Sequence, residues 1–422
     1  CPFSSDEACG TEVYPRLWNR KARMCEPAIK KPRVSDFKSS LGNESGLVNS
    51  WNEWDRLEEI IVGTASLAVI PPKEPAFEMK VKNEGKLGLL GQGGYRTKMS
   101  IDKANKQLAH FVELLEGEGV VVRRPDEMDF NVPVQTPDFS VPRMNTSACP
   151  RDLLLTLGNE VIEATMSWRS RFFEYRPYRT VLKDYMRRDP CMLWTCAPKP
   201  LMTDKLYRAD YPQDYGAENA RLCRDHTYLT SEEEPVFDAA DIMRFGKDVF
   251  CHMGFTTNEF GFEWLRRKCA AKGMRAHQLH FPDDMCPFHC DATFVPLRPY
   301  FAIENPSRPM EPYERTIFAE NDWKLVKAAQ PNSMEMPPLS QCSPWLCMNV
   351  LSLDSKTIFV EESEKGMIEV LNEHGFDTIT LPFRDVFEFG GSFHCVTTDI
   401  RRQGGMESYF KQLDAQEASS SK

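Results

Sequence analysis

The chain has 422 residues, room for two or three average domains or for one large domain built from repeated modules. Its 41% hydrophobic and 27% charged residues are ordinary for a globular protein, and 62 acidic against 52 basic side chains, a net charge of -10, argue against a general nucleic-acid binder. No run approaches the roughly 18 apolar residues of a membrane-spanning helix, and a chain of this length buries a core without disulfides or a structural metal.

In chain order, residues 1–45 are rich in Pro, Ser and charge and read as a flexible tail. Acids at Asp6, Glu7, Glu12 and Glu26 work against a targeting-peptide reading of its basic stretch. A strand is expected over 59–62, a helix near 101–117 and a strand over 120–122. Residues 153–155 and 161–162 read as a strand pair joined by the turn Gly158-Asn159. Apolar periodicity predicts helices over 169–186, 258–271 and 363–374. Later strands are expected over 276–281, 291–296, 349–353, 357–361 and 376–381, and residues 412–422 read as a disordered tail. The repeated strand–strand–helix–strand order points to α/β modules, although no sequence period announces a repeat. The 14 cysteines are scattered, with no CxxC and no Cys/His cluster at zinc spacing, and read as thiols of a reducing compartment.

Three places concentrate reactive side chains among small or turn-forming neighbours. In Glu234-Pro235-Val236-Phe237-Asp238-Ala239-Ala240-Asp241, two acids beside Ala-Ala leave room for a ligand, although an Asp at such a junction also serves as an N-cap. In Phe288-His289-Cys290-Asp291-Ala292-Thr293-Phe294, strand alternation puts His289 and Asp291 on one face and Cys290 on the other. That pair suits an acid/base beside a carboxylate, or equally a surface salt bridge. In Gly390-Gly391-Ser392-Phe393-His394-Cys395-Val396-Thr397, two glycines allow close backbone approach ahead of a thiol. Cys395 is a nucleophile if a nearby cation lowers its pKa, and otherwise a buried structural thiol. Spacing alone does not bring the three places together.

At these residues the chain resembles the glycine amidinotransferase family, which includes the arginine:glycine enzymes of creatine synthesis and amidinotransferases of the saxitoxin, cylindrospermopsin and streptomycin pathways. The likeness runs from Val48-Asn49-Ser50-Trp51-Asn52-Glu53-Trp54-Asp55 to Ser408-Tyr409-Phe410. Between them lie Thr136-Pro137-Asp138-Phe139, Pro150-Arg151-Asp152, Gly158-Asn159-Glu160-Val161, Trp168 to Glu174, Trp345 to Val350 and the three places above; residues 75–98 match least.

The resemblance implies a pentein-like fold: one domain over 46–411, a five-bladed α/β propeller of ββαβ modules around a pseudo-fivefold axis with the active site at its centre. By matching positions, Cys395 is the nucleophile, His289 the general acid/base and Asp238 its carboxylate partner. Asp138 and Asp291 hold the guanidinium of arginine, and Arg308 and Ser343 hold its amino-acid end, with Cys342 among the substrate-binding side chains. The implied reaction moves the amidino group of L-arginine to an amine, with glycine the first-ranked acceptor, giving guanidinoacetate and ornithine. It is a ping-pong scheme through an amidino-cysteine and needs no metal or organic cofactor.

The departures from the family pattern gather near the acceptor. Cys286 and Phe288 stand where the creatine-pathway enzymes carry Asn and Met, so these two positions are expected to set acceptor specificity. Cys342 and Cys347 replace Ser, and Cys290 replaces Ile. The other readings are the same chemistry on a different acceptor, an arginine deiminase-like hydrolase, and a non-catalytic scaffold. Expected partners are the small-molecule substrates, with no nucleic acid and no membrane span. The resemblance implies a soluble enzyme of the cytoplasm or mitochondrion and leaves the oligomeric state open, a homodimer included.

Overall fold

The computed structural model describes residues 46–83, 92–212, 216–285, 287–337 and 340–420; the tail expected over 1–45 lies outside them, as does Cys286. Among the described residues there are five three-stranded sheets. Four follow one plan, an antiparallel hairpin followed by a parallel third strand reached through a crossover. The first is Leu154–Leu157, Glu160–Glu163 and Leu193–Cys196. The second is Ile242–Phe245, Asp248–His252 and Arg275–Leu279. Phe294–Arg298, Phe301–Glu304 and Lys324–Lys327 form the third, and Leu351–Ser352, Thr357–Glu361 and Asp377–Leu381 the fourth. The fifth sheet joins the two ends of this region. Leu57–Val62 pairs antiparallel with Thr397–Arg402 and parallel with Val121–Arg123. The α/β class expected from the alternating strand and helix signals is the one observed.

Helices fill the crossovers because their apolar residues recur at helical spacing. Lys98–Gly117 starts at Thr97, whose side chain accepts from the Ser100 amide, and buries Ala104, Leu108, Phe111 and Leu115 on one face. Phe111 meets Phe359, Phe383 and Phe393 edge-on at 5.1, 5.4 and 5.2 Å between centroids, so this helix braces the chain two residues before Cys395. Glu259–Ala270 is capped by Asn258, whose side chain accepts from the Gly261 amide at 2.8 Å. Only glycine fits at 261, since a Cβ there would lie 2.1 Å from the Val236 carbonyl oxygen. That close approach fixes the segment leading to Asp238.

Three expectations need correction. The helix expected over 169–186 is instead two short 3-10 turns, Arg169–Arg171 and Arg176–Tyr178, followed by the helix Arg179–Arg188. Pro177 has no N–H to donate, and the amides of Arg169 and Ser170 turn aside to the Glu74 carboxylate. The strand expected over 291–296 begins only at Phe294, behind a 3-10 turn over Cys290–Ala292. The tail expected to be disordered over 412–422 contains most of a helix, Lys411–Ser420, held by ion pairs from Lys247 and Arg275 to Asp414 and Glu417.

Candidate active site

Each sheet is entered through a tight turn, and the reactive side chains sit on or beside those turns. Pro150–Asp152 precedes the first sheet, Ala239–Asp241 the second, Cys290–Ala292 the third and Pro344–Met348 the fourth. In the fifth, a turn closed by the Val396 amide donating to the Ser392 carbonyl carries Cys395 into Thr397–Arg402. Neighbouring turns touch: Pro150–Asp152 lies against Ala239–Asp241, that against Cys290–Ala292, and that in turn against Pro344–Met348. Side chains far apart in the chain therefore share one place.

Cys395 is buried and held on several sides. Its amide donates to Asn349 Oδ1 at 3.0 Å, as does the Ser392 amide at 3.1 Å, while Asn349 Nδ2 lies 3.2 Å from Cys395 Sγ. The thiol donates to Asp291 Oδ2 at 3.1 Å. Burial, then the charges of Asp291 and Asp152, push its pKa well above that of an ordinary thiol, so it is protonated in this state. Gly391 makes this packing possible, because a Cβ there would lie 2.1 Å from Cys395 Cβ. Asp291 also accepts from His394 Nδ1 at 2.8 Å; burial opposes its charge, but the His394 hydrogen bond and charge hold its pKa down at about 2. His394 Nε2 lies 3.3 Å from Glu53, which is paired with Arg244.

His289 sits at φ 51°, ψ 133°, a conformation rare for a residue with a side chain and a mark of a constrained site. Its Nε2 lies 3.0 Å from Asp238 Oδ2, and its Nδ1 lies 3.7 Å from Asp152 Oδ1. Burial disfavours the imidazolium, but Asp152, Asp238 and Asp241 outweigh it and carry the pKa up to about 9. Asp238 is itself fixed by the Ser167 amide at 3.0 Å. The strand alternation expected to align His289 with Asp291 does not operate, because the 3-10 turn replaces the strand. The two side chains still share the cleft, and Cys290 is buried in the core.

The cleft is lined by Cys395, His289, Asp291, Arg308, Ser343 and Cys342. Phe288 and Lys80 complete its wall. Arg308 is paired with Asp284 at 3.3 Å, and Ser343 caps the Pro344–Met348 turn by accepting from the Trp345 amide at 3.0 Å. Nine of the ten residues expected at the site are described, and eight converge here. Asp138 does not. It is exposed in the turn between Val134–Gln135 and Ser140–Val141, where the Thr136 hydroxyl accepts its amide at 3.2 Å, and it is not among the residues lining the cleft.

A second carboxylate beside His289, after Asp238, is Asp152, which lines the cavity adjoining the cleft. Arg171 Nη1 donates to its Oδ2 at 2.8 Å, while its buried Oδ1 has no hydrogen-bond partner among the described residues. Asp291 Oδ1 is likewise buried and without such a partner. Buried carboxylate oxygens are rarely left so unless a water, an ion or a ligand completes them. Asn349, His394 and Lys80 also escaped the sequence reading. Asp152 and Asn349 were legible in principle, since each stands just ahead of the first strand of a module, as Asp238, Asp291 and Cys395 do. No group of three or more His, Cys, Asp or Glu side chains arranged to hold a metal ion is found among the described residues.

An α/β molecule with a buried thiol, an imidazolium on a carboxylate and two neighbouring buried acids that each keep one oxygen without a hydrogen bond has the parts of a cysteine-dependent transferase acting on a cationic substrate. No family model matches the chain. It is 41% identical over 385 residues to the mitochondrial glycine amidinotransferase of Xenopus tropicalis, covering 90% of this chain and 89% of that one. It is 39% identical over 363 residues to the L-arginine:L-lysine amidinotransferase of Pseudomonas savastanoi pv. phaseolicola, covering 86% and 96%. Among solved structures it is similar to SxtG, an amidinotransferase of the saxitoxin pathway of Microseira wollei, with TM-score 0.76, 36% identity and coverage of 86% and 100%. The chain belongs to the glycine amidinotransferase family.

Proposed function

We propose that the protein transfers the amidino group of L-arginine to an amine acceptor through an amidino-cysteine on Cys395. The observation that carries this reading is the meeting in one cleft of Cys395, 3.1 Å from Asp291, with His289, 3.0 Å from Asp238. A guanidinium is a poor electrophile because its charge is spread over three nitrogens. The unpartnered oxygens of Asp291 and Asp152 are suited to accept its N–H groups and hold its carbon in line with Sγ. The same cation offsets the acids that keep Cys395 protonated, so the thiol gives its proton to solvent when arginine arrives, His289 being already charged.

Sγ then attacks the guanidinium carbon, and His289, already charged, gives its proton to the departing ornithine nitrogen. This leaves an amidino-thioether and a neutral imidazole. The acceptor amine attacks the same carbon, His289 takes its proton, and the C–S bond breaks to release the thiolate of Cys395 and restore the imidazolium. Asp238 orients the ring throughout. In this reading Arg308 and Ser343 receive the amino-acid end of arginine, with Cys342 beside them, a role supported by their shared place in the cleft lining.

Glycine is the first acceptor in this reading, as the name of the Xenopus relative supports, and lysine is supported in the same way by that of the bacterial one. Four entry turns in successive contact, with the Cys395 turn hydrogen-bonded to Asn349 and to the Arg151 amide, support a five-bladed propeller over 46–411 with the cleft at its axis. The ten described cysteines are all free thiols, which suits a reducing compartment, cytoplasmic or mitochondrial. The test is to incubate wild type, Cys395→Ala and His289→Asn with arginine and a panel of amines and to weigh the products. Wild type forms a guanidino product with ornithine and both variants form none; near-normal turnover by either variant overturns the assignment.

A further inference from the structure

Lys80 is the one ammonium among the cleft-lining residues. It is carried by the helix Pro75–Asn83, whose Ala76, Phe77, Met79 and Val81 are buried. Phe77 packs on Trp168 with centroids 5.9 Å apart. Just ahead of the helix, Glu74 accepts from the amides of Arg169 and Ser170 and from the Ser170 hydroxyl. The helix is anchored on both its apolar face and its leading end, so Lys80 is presented from a fixed support.

Its Nζ lies 5.4 Å from the ring centre of Phe288 and 5.7 Å from that of Trp168. Among the described residues it has no hydrogen bond and no ion pair. It borders the cleft that holds Cys395 and His289, and also the adjoining cavity lined by Asp152 and Arg171. Of the other cations lining the cleft, Arg308 is paired with Asp284 and His289 with Asp238. A charge-assisted hydrogen bond to an anion is a stronger contact for an ammonium than the ring faces on which it rests.

We propose that Lys80 is a specificity-determining residue that binds a carboxylate of the acceptor. This rests on the amidino transfer set out above and names the acceptor class: a small amine bearing a carboxylate, as in an amino acid. The site favours that class in the second half of the reaction. The S-amidinium on Cys395 then neutralises the acids beside it, and ornithine has left. An acceptor entering as a neutral amine with an anion at its other end meets the amidino carbon and His289 at one side and the free ammonium at the other. A neutral amine has nothing to offer that ammonium.

The test compares glycine with glycinamide, and lysine with lysinamide, as acceptors from arginine for wild type, Lys80→Met and Lys80→Arg. Wild type prefers an amino acid over its amide by about tenfold or more in kcat/KM. Lys80→Met loses most of that preference through a raised acceptor KM, and Lys80→Arg keeps most of it. Three results overturn the proposal: an unchanged ratio in Lys80→Met, a wild-type enzyme that favours the amides, or a shift in the pH dependence of Cys395 alkylation in Lys80→Met that accounts for the lost rate. Ornithine release by wild type from arginine without acceptor is followed in parallel, and its absence sinks the underlying transfer reaction rather than the acceptor assignment.

Discussion

His289 Nε2 lies 3.0 Å from Asp238 Oδ2, while the other nitrogen of the ring faces Asp152 at 3.7 Å. The imidazole is thus flanked by two acids, and its proton is held more tightly than that of a free histidine. Its pKa of about 9 exceeds the roughly 6.5 of an unfolded chain. The stabilisation from this charge is therefore full below about pH 6.5 and lost as pH rises through about 9. The leaving ornithine needs the same proton, so kcat/KM for arginine falls as pH passes about 9. Asp152→Asn removes a charge that raises the pKa and moves this falling limb to lower pH; a pH–rate profile of both enzymes checks it.

Asp138 and Asp152 offer a direct contrast. Asp138→Asn changes kcat/KM by less than about twofold, because its carboxylate stands in an exposed turn. Asp152→Asn lowers it by about a hundredfold or more, through lost binding of the guanidinium and a weaker imidazolium. Steady-state kinetics with arginine and the preferred acceptor distinguish the two.

What the residues revealed before the structure divides along a physical line. The hairpin at Gly158-Asn159 was legible because φ +61° at Gly158 is a glycine conformation, and the helix Lys98–Gly117 because its apolar residues keep a strict period. Pro177 hid the broken start of the Arg179–Arg188 helix, since the flanking periodicity continues across it. In the site, Cys395, His289 and Asp238 were found by likeness rather than by pattern. The 3-10 turns that carry Asp152 and Asn349 have no periodicity, and their side chains meet only through contacts between separate sheets. Lys80 lies where the family likeness is weakest, so nothing in the sequence pointed to it.

Asn349 positions the nucleophile through three contacts: the amides of Cys395 and Ser392 at its Oδ1 and the sulfur near its Nδ2. Asn349→Ala leaves two buried amides unpaired, at about 1 to 3 kcal/mol each. It lowers kcat roughly tenfold to a hundredfold and lowers the melting temperature. Kinetics and thermal unfolding measured together show both effects, and a variant with normal values of each contradicts this role.

Gly391→Ala forces a methyl group to within 2.1 Å of Cys395 Cβ, so the nucleophile must move. A displacement of about 1 Å is enough for a rate loss on the order of a hundredfold. Gly405→Ala, where no atom lies within 4 Å of the added methyl, is the control and keeps its activity. Assays of both variants, with alkylation of Cys395 as a second readout, test whether these glycines differ as their surroundings require.

A single-turnover experiment with arginine alone is the sharpest test of the covalent route. With no acceptor present, one equivalent of ornithine per active site is released in a burst, and peptide mass spectrometry finds one added amidino group on Cys395. Adding an acceptor amine removes the group and yields the guanidino product. Continuous citrulline formation, an unmodified Cys395 after ornithine release, or an amidino group on another residue would contradict the account.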